Sequence, residues 1–142
     1  MKKVNQILLV DDNPADNEFH TRAITKSGVA DKLLCIPSSR ESLEYLRKSL
    51  SVEDNADFAT PNLLFLDLAM PGMDGFEFLD KLMALPDPYK RKGKIKTFIL
   101  TGSLNPGDFK LAMEKYGDLI TGFRLKPLGD SVFTDIVEHY FQ

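Results

Sequence analysis

Short apolar runs alternate along the chain with longer stretches in which apolar positions recur every three or four residues. The runs QILLV (6–10), KLLCI (32–36), NLLFLD (62–67), KTFILT (96–101) and GFRLK (122–126) have the length and continuity of buried strands. The stretches 14–27, 39–49, 75–85, 106–116 and 130–141 have helical spacing. The sets Ala15/Phe19/Ala23, Leu43/Leu46/Leu50 and Phe133/Ile136/Val137/Tyr140 are each predicted to form one apolar face laid against a sheet. Helix starts are marked by Pro14 after Asn13, by Ser38 three residues before Glu41, and by Asn105-Pro106; Gly28 and Gly117 mark helix ends. This β-α alternation, with strands apolar throughout, predicts an α/β fold: a parallel sheet with helices on both faces.

Composition narrows the class. With 142 residues, 43% of them hydrophobic, the expectation is one domain over 1–142 with a single sizeable core and no room for an output domain. A formal charge of −3 implies no direct nucleic-acid partner, so any function is local. The apolar run after MKKVNQ is too short for a signal peptide or membrane span, and the lone Cys35 cannot form an internal disulfide. Both point to a cytoplasmic protein that does not enter a membrane. Cys35 itself reads as a small buried residue, and His20 and His139 as surface or helix-end positions. The long connections SVEDNADFATP and PDPYKRKGK, and the basic stretch 89–96, read as solvated loops.

In an open parallel sheet, ligands bind beyond the carboxyl ends of the strands, where strand order reverses. Here the first strand ends in Asp11-Asp12, the third in Asp67, the fourth in Thr101 and the fifth in Lys126-Pro127. Asp12 or Asn13 alone could simply cap a helix, Thr101 alone could be a strand-end residue or turn hydroxyl, and Lys126 alone could be solvated surface. Asp67 resists such a reading, because an ionised carboxylate at the end of a buried strand is costly without a cation or donors. Carboxylates about 5 Å apart repel by roughly 3 kcal/mol per pair and invite a hard cation with oxygen ligands, for which Mg²⁺ is the natural candidate. One carboxylate could then act as nucleophile toward a phosphoryl donor, with the lysine and hydroxyl neutralising the phosphoryl oxygens.

At these residues the sequence resembles the response-regulator receiver family of two-component signalling: ILLVDDNPAD is similar to its first strand and acidic pair, LLFLDLAMPGMDGFEFL to its phosphorylation segment, FILTGS to its fourth strand with a switch hydroxyl, and GFRLKP to its lysine-proline pair. The resemblance implies a flavodoxin-like, doubly wound sheet of five parallel strands in the order 2-1-3-4-5. It implies Asp67 as phosphoacceptor, Asp12 as a direct Mg²⁺ ligand, Asp11 as a ligand largely through water, and the carbonyl of Ala69 as a further ligand. Thr101 and Lys126 would bind phosphoryl oxygens, the Lys126-Pro127 peptide would be cis, and Phe123 would occupy a rotameric switch position or simply pack in the core. The chain would be a signalling module rather than an enzyme, assisting its own phosphorylation and dephosphorylation.

Implied partners are a sensor histidine kinase or a histidine phosphotransfer protein, and downstream a protein or a second copy of the chain meeting the face of the fourth helix, fifth strand and fifth helix. Ala69 and Ser103 stand where family members often carry larger polar side chains that bear on phosphoryl lifetime. An intermediate carrier in a phosphorelay is the alternative role. A flavin-binding module would need a Ser/Thr/Gly-rich loop where DDNPADN stands, and a haloacid-dehalogenase-type phosphohydrolase a second acid where Ala69 stands.

Overall fold

The computed structural model describes residues 3–51, 60–70, 72–85, 95–102 and 106–141. Its elements in chain order are β1 (Val4–Val10), α1 (Pro14–Ser27), β2 (Ala30–Ile36), α2 (Ser39–Ser51), β3 (Leu63–Asp67), α3 (Gly75–Met83), β4 (Lys96–Thr101), α4 (Pro106–Tyr116), β5 (Ile120–Leu125) and α5 (Asp130–Tyr140). The strands form one parallel sheet in the order β2-β1-β3-β4-β5, the flavodoxin-like arrangement. Each expected strand and helix is found, with ends shifted by two residues at most.

The boundaries have local causes. Asn13 caps α1 by accepting from the main-chain N–H of Asp16 at 3.0 Å, and Ser38 accepts from that of Glu41 at 3.2 Å. Gly28 ends α1 at φ 67°, a left-handed conformation that costs glycine nothing. At Gly117 a side chain would meet the carbonyl oxygen of Met113 at 2.6 Å, so the turn after α4 needs glycine there. Asn105, the side chains of Leu50 and Pro106, and most of the two long connections lie outside the described residues.

Both faces of the sheet are covered. On one side Phe65, Phe98 and Leu9 pack with Ala23 and Ile24 of α1 and Phe133, Ile136 and Val137 of α5. On the other, Leu64, Leu66 and Ile99 pack with Leu46 of α2, Phe78 and Leu79 of α3, and Ala112 and Tyr116 of α4. Successive residues of β3 therefore serve opposite layers, the period of two that a strand imposes. The expected face of α5 is observed, with Tyr140 partly buried against the same core. In α2, Leu46 is buried and Leu43 half-buried.

Three expectations need correction. Helix α1 buries His20, Ala23 and Ile24 rather than Ala15, Phe19 and Ala23; Ala15 is exposed and Phe19 is 47% exposed. The face is turned by about one residue. His20 is accordingly fully buried rather than on the surface, edge-on to Phe19 and Phe133, and its Nε2 accepts the main-chain N–H of Leu128 at 3.2 Å. Burial, followed by the charge of Lys126, lowers its pKa, so the imidazole is neutral and its proton sits on Nδ1. Cys35 is half-buried, because β2 is an edge strand with one flank unpaired.

Phe65 is fully buried, with ring centroids 5.8 Å from Phe98 and 5.2 Å from Phe133. Phe65→Ala should destabilise the fold by about 3–5 kcal/mol. Urea denaturation measures this directly, and a loss below about 1 kcal/mol would mean the layer between β3 and α5 can collapse to fill the gap.

Candidate functional site

Strand register fixes the site. Val10 pairs with Leu66, Asp67 with Leu100, and Thr101 with Leu125, so four strands end level at one edge of the sheet. The reversal of strand order makes β1 and β3 neighbours, and the residues after Val10 emerge beside Asp67. Asp11 is fully buried, Asp67 is 5% exposed and Asp12 is half-exposed. One carboxylate oxygen from each of the three lies within 4.8 Å of the others. The capping role considered for Asp12 falls to Asn13, and Asp11 Oδ1 accepts the main-chain N–H of Asn13 at 3.0 Å while the carbonyl of Asp11 accepts from Asn17 at 2.7 Å.

Lys126 comes in from the β5–α5 loop and is no solvated surface residue. Its Nζ lies 2.6 Å from Asp11 Oδ2, 2.9 Å from Asp16 Oδ2 and 3.3 Å from Asp67 Oδ1. Its main-chain N–H donates to the carbonyl of Thr101 at 2.8 Å, tying the ends of β4 and β5 together. The Lys126–Pro127 peptide is cis. Asp16 was not anticipated from the sequence: an acid in the first turn of a helix is explained by the helix dipole alone, and only the return of the chain after β5 brings a cation to it.

The electrostatics follow from crowding. Burial and then the charge of Asp11 raise the pKa of Asp67 above the ordinary carboxylate value, although Lys126 and the main-chain N–H of Ala69 pull it back. Burial pulls Lys126 down, but hydrogen bonds to Asp11 and Asp16 and the charges of Asp11 and Asp67 more than offset this, holding the ammonium above its ordinary range. Three hard oxygen donors within 4.8 Å form a group that could hold a metal ion.

The loop after β3 is shaped by glycine. A side chain at Gly75 would fall 2.9 Å from the Cα of Leu68 and 3.0 Å from the carbonyl oxygen of Asp67, and the Gly75 N–H donates to Leu68 at 2.9 Å. The start of α3 thus sits directly on the strand end that carries Asp67. Gly72, at φ 84°, supplies the turn between them. Ala69 is exposed on this loop. A cleft of about 390 Å³, lined by Asp12, Ser39, Arg40, Met70 and Met73 among others, opens beside the carboxylates.

Thr101 ends β4 at the same edge and is half-buried. Phe123 is half-buried on β5, its ring 4.9 Å from that of Phe109 on α4. Around this pair Phe109, Leu111, Met113 and Leu125 are each between 41% and 50% exposed. Ser103 and residues 89–94 of the basic stretch lie outside the described residues, and His139 is exposed near the end of α5. Among the described residues no helix is long and apolar enough to cross a membrane.

Comparison with known proteins agrees with this geometry. Residues 7–137 match the family described as the response regulator receiver domain. The chain is 31% identical to the response regulator Rcp1 of Synechocystis over 72% of its own length and 65% of that protein. It superposes on a two-component response regulator from Cytophaga hutchinsonii with a TM-score of 0.82, at 22% identity and 98% coverage of both chains. It also superposes on the phosphorylated cyanobacterial phytochrome response regulator RcpA with a TM-score of 0.69, at 28% identity, covering 95% of this chain and 89% of that one. The carboxylates and lysine gathered at the strand ends, the strand order and the family match over nearly the whole length lead to one conclusion: the chain belongs to the response regulator receiver domain family of two-component signalling.

Proposed function

We propose that the protein is a phosphoacceptor that takes a phosphoryl group from a histidine kinase or a histidine phosphotransfer protein onto Asp67, in the cytoplasm and with Mg²⁺. The observation that carries this reading is the meeting of Asp67 with Asp11, Asp12 and Lys126 in one largely buried pocket. The phosphorylated state of the structurally similar phytochrome response regulator RcpA supports it. Asp11, Asp12, Asp67 and the carbonyl of Ala69 are the residues that would hold Mg²⁺. When bound, the ion neutralises carboxylate and phosphoryl oxygens that would otherwise repel.

The chain's own residues do the rest. A carboxylate oxygen of Asp67 attacks the phosphorus of a phosphohistidine in line. The new O–P bond forms as the P–N bond breaks, its electron pair staying with the departing imidazole, which takes up a proton. Lys126, already at 3.3 Å from Asp67, pairs with one phosphoryl oxygen, and Thr101 donates to another. The acyl phosphate adds about two negative charges at the sheet edge. Drawing Thr101 toward them opens space for Phe123, whose ring now packs on the exposed Phe109. The face formed by α4, β5 and α5 would then change between states and be read by a downstream protein or a second copy of the chain. The chain acts as a signalling module that assists its own modification rather than as an enzyme.

With a small phosphodonor and Mg²⁺ the protein should acquire an acid-stable, base-labile acyl phosphate, and Asp67→Asn should abolish it; label persisting elsewhere in that variant would move the acceptor. The same labelling should shift the main-chain amide signals of 106–125, and Thr101→Ala should keep the label while blunting the shifts; shifts confined to the neighbourhood of Asp67 would mean no such switch.

A third outcome follows from the raised pKa of Asp67. Because the folded value lies above the unfolded one, ionising Asp67 works against the fold; the penalty grows as pH rises through the carboxylate range and is complete above the folded value. In Mg²⁺-free buffer at neutral pH, Asp67→Asn should therefore raise the thermal midpoint by about 2–5 °C, with the gain vanishing in acid. Equal midpoints at neutral pH would show that Lys126 neutralises the pocket completely.

A further inference from the structure

Helix α1 turns two polar side chains inward where an apolar face would suffice for packing. Asp16 and His20 are four residues apart and so lie one above the other on the same side of the helix. Asp16 Oδ2 accepts from Lys126 Nζ at 2.9 Å, and His20 Nε2 accepts the main-chain N–H of Leu128 at 3.2 Å. One helix face thereby grips both the ammonium of Lys126 and the backbone of the loop that carries it. His20 is fully buried, and its Nδ1 has no hydrogen-bond partner among the described residues. A leucine would fill the same space without burying an unsatisfied N–H, so what the imidazole adds is the acceptor for Leu128.

The donors of Lys126 can be counted. Of the three N–H groups an ammonium has, one goes to Asp11 and one to Asp16 as hydrogen bonds, while Asp67 is held as an ion pair at 3.3 Å. Under the phosphoacceptor reading, on which this inference rests, Asp67 becomes an acyl phosphate and Asp11 belongs to the cation-holding group. Asp16, whose side chain is 37% exposed at the rim, is the one partner that neither change draws on. We propose that Asp16 and His20 are positioning residues which together clamp Lys126, Asp16 holding the ammonium and His20 the main chain at Leu128, so that the lysine keeps its place while its other two partners change during phosphoryl transfer. Neither residue touches the reacting atoms; both act through Lys126 and its loop.

The test uses the full chain. At saturating Mg²⁺ and a small phosphodonor, Asp16→Ala should slow phosphorylation on the order of ten-fold, the scale of a modest misplacement of a charge-stabilising group, and Asp16→Glu should restore most of the rate. In a Lys126→Gln background the same Asp16→Ala change should cost less than about two-fold, because there is no ammonium left to position. Independently of any phosphorylation, the amide signals of Lys126 and Leu128 should move in Asp16→Ala and His20→Leu, and return toward wild type in His20→Gln, whose amide oxygen can replace Nε2 as acceptor. Asp16 lies at the rim and His20→Leu keeps the core filled, so both variants should fold. An unchanged rate in Asp16→Ala, an equal loss in the Lys126→Gln background, or unmoved amide signals in both variants would overturn the clamp. A wild-type chain that takes no phosphoryl group would instead overturn the phosphoacceptor reading, and the amide signals alone would then decide the clamp.

Discussion

The ammonium of Lys126 holds together a cluster that would otherwise push itself apart. Asp11 and Asp67 are almost completely buried and share a space of 4.8 Å with Asp12. At that separation each pair of charges repels by about 3–4 kcal/mol at an effective dielectric near 20. The ammonium, within 2.6–3.3 Å of Asp11 and Asp67, supplies the opposing attraction. The pKa of Asp67 nonetheless stays raised, first by burial and then by the charge of Asp11. Together the three carboxylates form a group that could hold a metal ion.

The rest of the fold serves to aim these groups. The sheet is filled on both sides by aromatic and branched side chains, so its strands cannot slip without exchanging the two layers. Level strand ends are therefore a consequence of core packing. The strand end bearing Asp67 is packed closely against the start of α3 by the missing side chain of Gly75. The loop bearing Lys126 is tied to β4 through Thr101 and to α1 through His20. No single element builds the site; it exists where four strand ends and one helix face meet.

The opposite arrangement holds at α4. Only Ala112 and Tyr116 of that helix are buried among its described side chains, while Phe109, Leu111 and Met113 stand exposed. Tyr116 anchors its far end, its hydroxyl donating to Asp80 of α3 at 2.6 Å and its ring stacked on Phe76. The ring contact between Phe109 and Phe123 connects the helix to β5.

The sequence by itself determined the element order, the fold class and the residues delivered to the strand ends. Period-two and period-3.6 patterns are local, and a carboxylate closing an apolar run is anomalous wherever it stands. That is why Asp11, Asp12, Asp67, Thr101 and Lys126 could be named before any coordinates. The tertiary structure alone decided which way α1 faces. Ala15, Phe19 and Ala23 have the better apolar spacing, yet the helix turns by about one residue to bring Asp16 to Lys126 and His20 to Leu128. Both partners are more than 100 residues away in sequence. A polar side chain facing inward looks like a surface residue until the group that satisfies it has been placed, and no local pattern records a hydrogen bond made at that distance.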